Sequence, residues 1–468
     1  MILGKVFDRF AQYSPVTVMM RGVLEFTFPP NCLDELFRQH AEQQYEDELL
    51  FSTVVDTLAL VVHGTRKSVN AAYQASKDDF TVSVTALYDK LQGVETQVSR
   101  AVVRESFARL APVIKALKAE VKPLLSGYRT KIIDGNHLAG TDHRIDETRT
   151  SSSAPLPGHS LVVLDPQLRL AIDVLPCEDA YAQERSLLPE VLETVEAGDL
   201  WMADRNFCTT VFLFGIEGRE AAFLIRQHSS TLSDKKLLGR RRRVGCCKTG
   251  LVYEQQLEIR NPKAADPAAA VMQLRRITIQ LDEPTRDGDT ELHLVTNVPE
   301  EAANAITLAE LYRQRWGIEY AFQELGQALR GEVNTLCYPK AALLAFCVAL
   351  LTYNVLSVIK AATRSAHKNP SLLMDLSGYY LAEEIAATYW GMTIAIEPRH
   401  WSHAFAQLTA TELARLLKEL AVKVDVSRFK KHKRGPKKPP PKRRGGLREK
   451  HVSTARLLNQ RNIMTARN

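Results

Sequence analysis

The hydrophobic period of this chain changes at Lys131, and that change limits its fold more than any other feature. Residues 1 to about 125 read as helices: Leu49–Val62 is one continuous apolar run whose length favours helix over strand. Ser83–Leu91, a break at Gln92-Gly93-Val94, and Glu95–Leu110 then give helix, short turn, helix, the outline of a helix-turn-helix. From Lys131 the pattern is different. Lys131-Ile132-Ile133 is short, β-prone and ends in Asp134. His159–Leu164 and Leu168–Val174, joined through Asp165-Pro166-Gln167, read as a hairpin. A helix is expected from Tyr181 to Ala197, stopped by Gly198-Asp199. Leu200–Ala203 is again strand-like and ends in Asp204; a short helix Thr209–Gly215 and a strand Ala221–Ile225 follow. Strand, hairpin, helix, strand, helix, strand describes an α/β layer.

Residues 227–298 depart from that rhythm. Leu251–Ile259, Leu274–Leu281 and Glu291–Thr296 alternate like strands between Pro, Asp and Gly clusters, which reads as a β-rich insertion. An amphipathic helix is expected over about Leu308–Arg330, and Ala341–Leu420 reads as helical. Ala341–Ile359 approaches the length of a membrane span, but Thr352, Tyr353, Asn354 and Ser357 interrupt it, so it reads as a buried helix and no membrane partner is expected. Met1–Lys5 shows no signal-peptide pattern. The seven cysteines form no C-x-x-C pair, which argues against a zinc knuckle or disulfide scaffold and fits reduced thiols in a cytoplasm.

Charge is unevenly placed. Twelve Lys/Arg and a single acid, Glu449, lie between Arg428 and Lys450, a local charge of +11 that leaves about −4 for the rest of a chain whose total is +7. Nucleic-acid contact is therefore expected at local patches. One is this tail, with Lys430, Lys431, Arg443 and Arg444; it is Pro-rich and reads as disordered. A second is the run Arg240, Arg241, Arg242, Arg243, which suits phosphate contact as well as a solvated loop.

Three carboxylates carry the chemistry. Asp134 and Asp204 each end an expected strand of one α/β unit, where open sheets bind ligands. Glu319 lies far on in sequence, on the helix after the insertion. Such acids can converge on a pair of divalent ions; hard oxygen ligands suit Mg²⁺, with Mn²⁺ as an alternative, and two ions roughly 3.5–4 Å apart serve phosphoryl transfer. Taken singly, Asp134 also reads as a turn residue, Asp204 as a helix N-cap and Glu319 as a solvated acid. Asp142, His143, Asp146 and Glu147 are rival ligands in a polar loop; His137 reads as local structure and Trp316 as core.

Tyr312, Arg315 and Glu319, at spacings of three and four, share one helical face. This resembles the Y-x2-R-x3-E-x6-K signature of bacterial insertion-sequence transposases of the insertion-sequence-four family. Asp134 in Ile132-Ile133-Asp134-Gly135 and Asp204 in Ala203-Asp204-Arg205-Asn206-Phe207 are similar to that family's first two acidic motifs, in the same order, and residues 227–298 match its β-strand insertion. The resemblance covers roughly residues 45–360. One position departs: the family lysine seven residues after Glu319 is Gly326, and Arg330, one turn on, is the candidate substitute.

The resemblance implies an α/β, ribonuclease H-like catalytic core with a β-strand insertion, flanked by an α-helical N-terminal domain and a helical C-terminal region. The corresponding segments are a DNA-binding 1–125, the core in two parts (126–226 and 299–340), the insertion 227–298, helices 341–425 and the basic tail 426–468. It implies DDE chemistry on two Mg²⁺ ions at Asp134, Asp204 and Glu319, with Tyr312 and Arg315 in the catalytic motif. Its products are cleavage at element ends and strand transfer. The expected partners are double-stranded DNA, as terminal inverted repeats and target, and a second copy of the chain on that DNA. The expected location is cytoplasmic, at the nucleoid. Two other readings are a transposase-derived DNA-binding protein without catalysis and another ribonuclease H-like endonuclease.

Overall fold

In the computed structural model, residues 4–465 are described except 45–47, 142–144, 151–153, 228–231, 233–234, 262–270, 286–287, 334, 369–374 and 433–451. A mixed nine-stranded sheet forms the centre, in the order β3-β2-β1-β4-β5-β9-β8-β7-β6. Its strands are β1 Arg129–His137, β2 His159–Asp165, β3 Leu170–Cys177, β4 Asp199–Ala203, β5 Ala222–Gln227, β6 Lys236–Cys247, β7 Gly250–Arg260, β8 Val271–Leu281 and β9 Glu291–Thr296. Only β1–β4 and β4–β5 pair in parallel; every other neighbouring pair is antiparallel.

Alternate residues of the central strands face two separate cores. Ile133, Trp201, Ala203 and Phe223 pack on one face with α9 (Thr210–Glu217) and the short α8 (Leu188–Leu192). Ile132, Leu200, Met202 and Leu224 face the other way, into the larger core. This period-2 division of runs that are apolar on both sides is what a sheet covered on both faces requires.

The larger core is helical. N-terminal helices, among them α2 Pro15–Thr27, α4 Phe51–Val62, α6 Val84–Gly93 and α7 Thr96–Ala116, pack with α12 Pro339–His367 and with the later helices Gly378–Ala395, Pro398–Phe405 and Ala410–Ala421. The sequence separates an N-terminal from a C-terminal helical region; in the structure they are two halves of one layer. Their apolar faces complete each other around α12, whose apolar stretch is buried inside the protein. The polar residue that interrupts it is used: Asn354 accepts from the Ala171 amide (2.8 Å) and donates to the Ala171 carbonyl (3.0 Å) and Ser106 Oγ (2.9 Å). One amide side chain thus pins α12 to strand β3 and helix α7.

Four sequence expectations change here. The helix-turn-helix at 83–110 is present as α6 and α7, but α7 lies against β3 and α12, held by a two-pronged Arg100–Asp173 ion pair (2.9 and 2.8 Å). The face packed in this way is closed to a DNA groove, and the exposed stripe that remains on α7 is Arg104, Ala108, Pro112 and Lys115. The expected helix over 181–197 shrinks to a 3-10 turn, Glu184–Leu187, followed by α8. The insertion is continuous with the main sheet, because β9 pairs with β5 (Leu224 opposite Thr296). Finally, the tail is not free throughout. The Leu156 amide donates to the Val452 carbonyl, Ser453 and Arg456 bind Asp179, Arg461 pairs with Glu147, and Thr454–Thr465 is helical.

Candidate active site

The parallel register of β1 and β4 sets the first two acids. Ile132 pairs with Met202, so Asp134 and Asp204, each two residues further on, occupy equivalent positions on adjacent strands. Asp134 does not end its strand as expected. The antiparallel partner β2 carries β1 on to His137, with Asp134 opposite Val162. What ends near Asp134 is the parallel pairing alone, which opens the sheet edge there. Asp204 follows β4 directly and caps the 3-10 turn Arg205–Phe207, its Oδ1 accepting from the Asn206 amide at 2.7 Å.

The third acid arrives from the segment after β9. The helix expected over 308–330 is broken: α10 Ala305–Tyr312, a 3-10 turn Arg313–Trp316, then α11 Gly317–Gln327. Asn304 caps α10 through the Thr307 amide (2.8 Å). Glu319 stands in the first turn of α11, where a carboxylate meets the positive end of the helix.

Arg315 ties these pieces together. Its Nη1 donates to Asp134 Oδ2 and its Nη2 to Glu319 Oε1, both at 2.8 Å. The guanidinium is nearly buried and lies 6.0 Å from the Tyr312 ring centroid. Burial opposes its charge, but Tyr312, Asp134, Glu319 and Asp204 together raise its pKa above the ordinary arginine value. Tyr312 is buried, and its hydroxyl donates to the Ala203 carbonyl (3.3 Å), joining the end of α10 to the residue before Asp204. Burial drives the Tyr312 pKa upward, so the phenol stays protonated. Two residues separated by 185 positions, Asp134 and Glu319, therefore share one cation, beside Asp204.

Among the described residues no three His, Cys, Asp or Glu side chains close around one point. The Arg315 guanidinium stands between two of the acids instead. The donor set is all carboxylate oxygen, the chemistry that hard divalent cations take. Burial pushes the Asp134 carboxyl up to about 6, with the charge of Asp204 adding to the rise and Arg315 opposing it. A part-buried carboxylate still short of positive charge despite its arginine fits a cation site. Asp134, Asp204 and Glu319 are the residues that would hold it.

The Asp134 shift has a measurable sign. Its folded pKa lies above the ordinary 3.8, so its contribution to stability is complete below about pH 4 and is lost as pH rises through about 6. In the metal-free protein, Asp134→Asn is expected to unfold at a higher temperature than wild type near about pH 7.5, with the gap closing toward about pH 5. Thermal unfolding in chelator at both pH values checks this; an equal gap at the two values contradicts it.

Other expected site residues fall elsewhere. Gly326 faces open space, with no neighbouring atom within 4 Å of where a Cβ would stand. Arg330 does not share the Glu319 face. It lies beyond the end of α11, its amide donating to Val62 O (2.8 Å) and its Nη1 to Arg66 O (3.0 Å), so it joins α11 to the helical layer. Arg240, Arg241, Arg242 and Arg243 are not in a loop but on the exposed edge strand β6. There Arg241 pairs with Glu291 (2.8 Å) and covers Tyr253, and Arg242 reaches Glu254 (3.3 Å). The backbones of Lys430 and Lys431 are fixed at Leu376 and Asp375, and the Lys431 ammonium is held below the usual lysine range by desolvation and then by Lys360. Arg443 and Arg444, like Asp142 and His143, lie outside the described residues. Of the rivals, Asp146 pairs with Arg149 and Glu147 with Arg461; His137 stacks on His159.

Two features escaped the sequence. Trp316 is not core; it is 52% exposed, and Tyr320, one turn on, is 67% exposed, so two aromatic rings near Glu319 in sequence stand in solvent. The second is the pair Glu184-Arg185, whose placement beside Asp204 was hidden by reading 181–197 as one helix.

Residues 125–355 match the family described as the transposase DDE domain. The chain is a DDE transposase. The matched segment contains Asp134, Asp204, Tyr312, Arg315 and Glu319. Among solved structures, the transposase resembles the piggyBac transposase synaptic complex with hairpin DNA, determined by cryo-EM. That likeness has 11% identity and a TM-score of 0.38, over 86% of this chain and 87% of that one. No curated protein matches the transposase sequence.

Proposed function

We propose that this transposase cuts DNA at the ends of a mobile element and joins the freed 3′ ends to target DNA, using Asp134, Asp204 and Glu319 to hold two divalent ions, Mg²⁺ or Mn²⁺. The observation that carries the reading is the convergence of Asp134 and Glu319 on Arg315 beside Asp204. The strand order β3-β2-β1-β4-β5 supports a ribonuclease H-like core, and the Tyr312, Arg315 and Glu319 spacing supports the insertion-sequence-four family. Bound divalent ions supply Lewis-acid activation of the attacking oxygen and charge at the leaving oxygen.

The protein supplies placement. Tyr312 fixes the end of α10 to strand β4, and the adjoining 3-10 turn aims Arg315 and Glu319 at the sheet edge. Arg315 is always cationic and holds the two distant acids in register. The half-exposed Glu319 and the two exposed rings near it in sequence leave the site open to a polymer. Trp316 and Tyr320 suit stacking on unpaired bases at a cut end. Two copies of the chain acting on paired ends in the cytoplasm, at the nucleoid, complete the proposal.

The test is a cleavage assay with purified full-length protein, divalent metal and linear DNA carrying the element's ends. Cleavage at those ends followed by joining to a second DNA supports the reading. Metal-dependent nicking without joining favours a ribonuclease H-like endonuclease. Binding without cleavage favours a transposase-derived DNA-binding protein.

The basic segment gives a further expectation. The +11 charge over residues 428–450 belongs to a chain that is otherwise about −4. Ser453 and Arg456 are held by Asp179 and Arg461 by Glu147, so truncation from 428 removes structure as well as charge. Neutralising the Lys and Arg of 433–450 is the cleaner change. The log–log salt dependence of duplex binding is expected to flatten by about 0.9 for each phosphate that the segment no longer neutralises. An unchanged slope removes this segment from the DNA-binding surface.

A further inference from the structure

The side chain that touches the turns of both aspartates is Glu184, a residue outside the DDE motif. It opens the 3-10 turn between β3 and α8. Its Oε2 accepts from Asn206 Nδ2 at 3.1 Å. The next residue, Arg185, donates through Nε to the Asn206 carbonyl at 2.8 Å. Asn206 in turn donates its amide to Asp204 Oδ1. The Asp204 turn is therefore gripped at side chain and backbone by two consecutive residues of a different segment.

The same carboxylate reaches the first acid. A Cβ placed on Gly135 would collide with Glu184 Oε1 and Cδ. Glycine beside Asp134 thus leaves the space that Glu184 fills, while the Gly135 amide donates to Asp134 Oδ1 (3.0 Å). A surface glutamate with no role beyond its own turn would not need contacts on both strand β1 and the Asp204 turn. It would also add a negative charge next to two aspartates for no gain. Nor is Glu184 arranged as a fourth ligand: one oxygen is engaged by Asn206 and the other lies against Gly135. The groups that orient ligands are often as sensitive to mutation as the ligands themselves, at about 10- to 100-fold in metal affinity.

We propose that Glu184 is a positioning residue: together with Arg185 it clips the Asp204–Asn206 turn against Gly135, so that Asp204 and Asp134 present their oxygens to the same cation. This rests on the metal-binding reading of the three acids. Because its contribution is one of shape and hydrogen bonding, glutamine should serve nearly as well; the amide oxygen still accepts from Asn206 and the amide nitrogen fills the space beside Gly135.

The test uses the full-length protein and Mn²⁺, with binding read from the free-ion electron paramagnetic resonance signal in the absence of DNA. Cleavage is followed in parallel over a range of Mg²⁺. Glu184→Ala is expected to weaken Mn²⁺ binding about tenfold or more and to shift the Mg²⁺ dependence of cleavage the same way. Glu184→Gln is expected to restore both to near wild type. Asn206→Ala breaks the link from the other side and should reproduce the loss, which keeps the test open if Glu184→Ala does not fold.

Unchanged Mn²⁺ binding in Glu184→Ala, or in Asn206→Ala where the first does not fold, overturns the proposal. So does Glu184→Gln as weak as Glu184→Ala, because the carboxylate would then act by charge or as a ligand. Asp204→Asn separates the two levels. If it still cleaves, the reading of the site itself fails; if it is inactive while Glu184→Ala binds Mn²⁺ normally, only the positioning role fails.

Discussion

Asp134→Asn, Asp204→Asn and Glu319→Gln are each expected to abolish nicking and strand transfer while leaving DNA-end binding in place. An amide keeps the shape of the carboxylate but offers one neutral acceptor and a pair of donors, so it cannot carry the negative charge that a divalent ion requires. The expected loss is at least about two to three orders of magnitude in cleavage rate, the scale at which one principal electrostatic group is removed. The three variants should nonetheless fold, for different reasons. Asparagine at 204 can still accept from the Asn206 amide and cap the 3-10 turn, since Asn and Asp are comparable caps. Asparagine at 134 removes a part-buried charge, and Arg315 retains Glu319 as partner. Glu319 is half-exposed, so its amide stays hydrated. Mn²⁺ should support cleavage by the wild type as Mg²⁺ does, and Ca²⁺ should support binding without cleavage. DNA retention and product formation, measured on one preparation, separate the two effects. Normal cutting by all three variants would sink the DDE assignment of these residues, and normal cutting by Asp134→Asn alone would move the first ligand elsewhere.

The three acids of the candidate site could be singled out because each sits where sequence signals are strong. Asp134 and Asp204 follow short β-branched or aromatic runs, and Glu319 keeps helical spacing with Tyr312 and Arg315. What the sequence did not reveal was how they meet. That depends on Ile132 pairing with Met202, a parallel register between segments 70 residues apart, which no local pattern encodes. The 3-10 break at Arg313–Trp316 was also invisible, since the apolar spacing of 308–330 suits one helix. It is the break that turns Arg315 toward Asp134 while Trp316 stays in solvent. Arg330 was misplaced for the same reason: extending α11 by three residues puts it on the Glu319 face, whereas the chain leaves the helix after Gln327.

Larger-scale organisation was the least legible. The helices before and after the sheet have separate amphipathic patterns, and nothing local shows that they bury those faces against each other. In the β-rich insertion 227–298 three strands were legible, Leu251–Ile259, Leu274–Leu281 and Glu291–Thr296, but β6 was not, and the union with the core sheet is a long-range pairing of β9 with β5. Arg240–Arg243 read as a loop because four adjacent arginines lack alternation; in the strand they are exposed at the sheet edge, with a register irregularity between Leu238 and Arg242.

That union exposes a second point on which the protein should be fragile. Arg275 on β8 is buried, as is Glu254 on β7, and the two pair at 2.7 Å. Arg275 Nη1 also donates to the Val298 and Ala303 carbonyls, at 2.9 and 2.8 Å. These carbonyls belong to the connection from β9 to α10, the segment that delivers Tyr312, Arg315 and Glu319 to the site. One guanidinium therefore joins β7, β8 and the approach to the helix that carries Glu319. Arg275→Met leaves Glu254 buried with only the largely exposed Arg242 for a partner, and strands two carbonyls. Removing one member of a buried pair costs about 3–5 kcal/mol, and that is the expected loss in urea unfolding. Arg275→Lys should recover little, because one ammonium on a flexible stem cannot reproduce the planar fork that meets three acceptors. Arg275→Met combined with Glu254→Met removes the orphaned charge but not the two carbonyls, each costing about 1–3 kcal/mol when left bare. The double variant should therefore lie between the single variant and wild type. If Arg275→Met unfolds at the wild-type urea midpoint, the pair does not hold the insertion to the core, and the rigidity of the α10 approach must come from other contacts, among them the β5–β9 pairing and the bonds of Asn297 to Phe223 and Ala221.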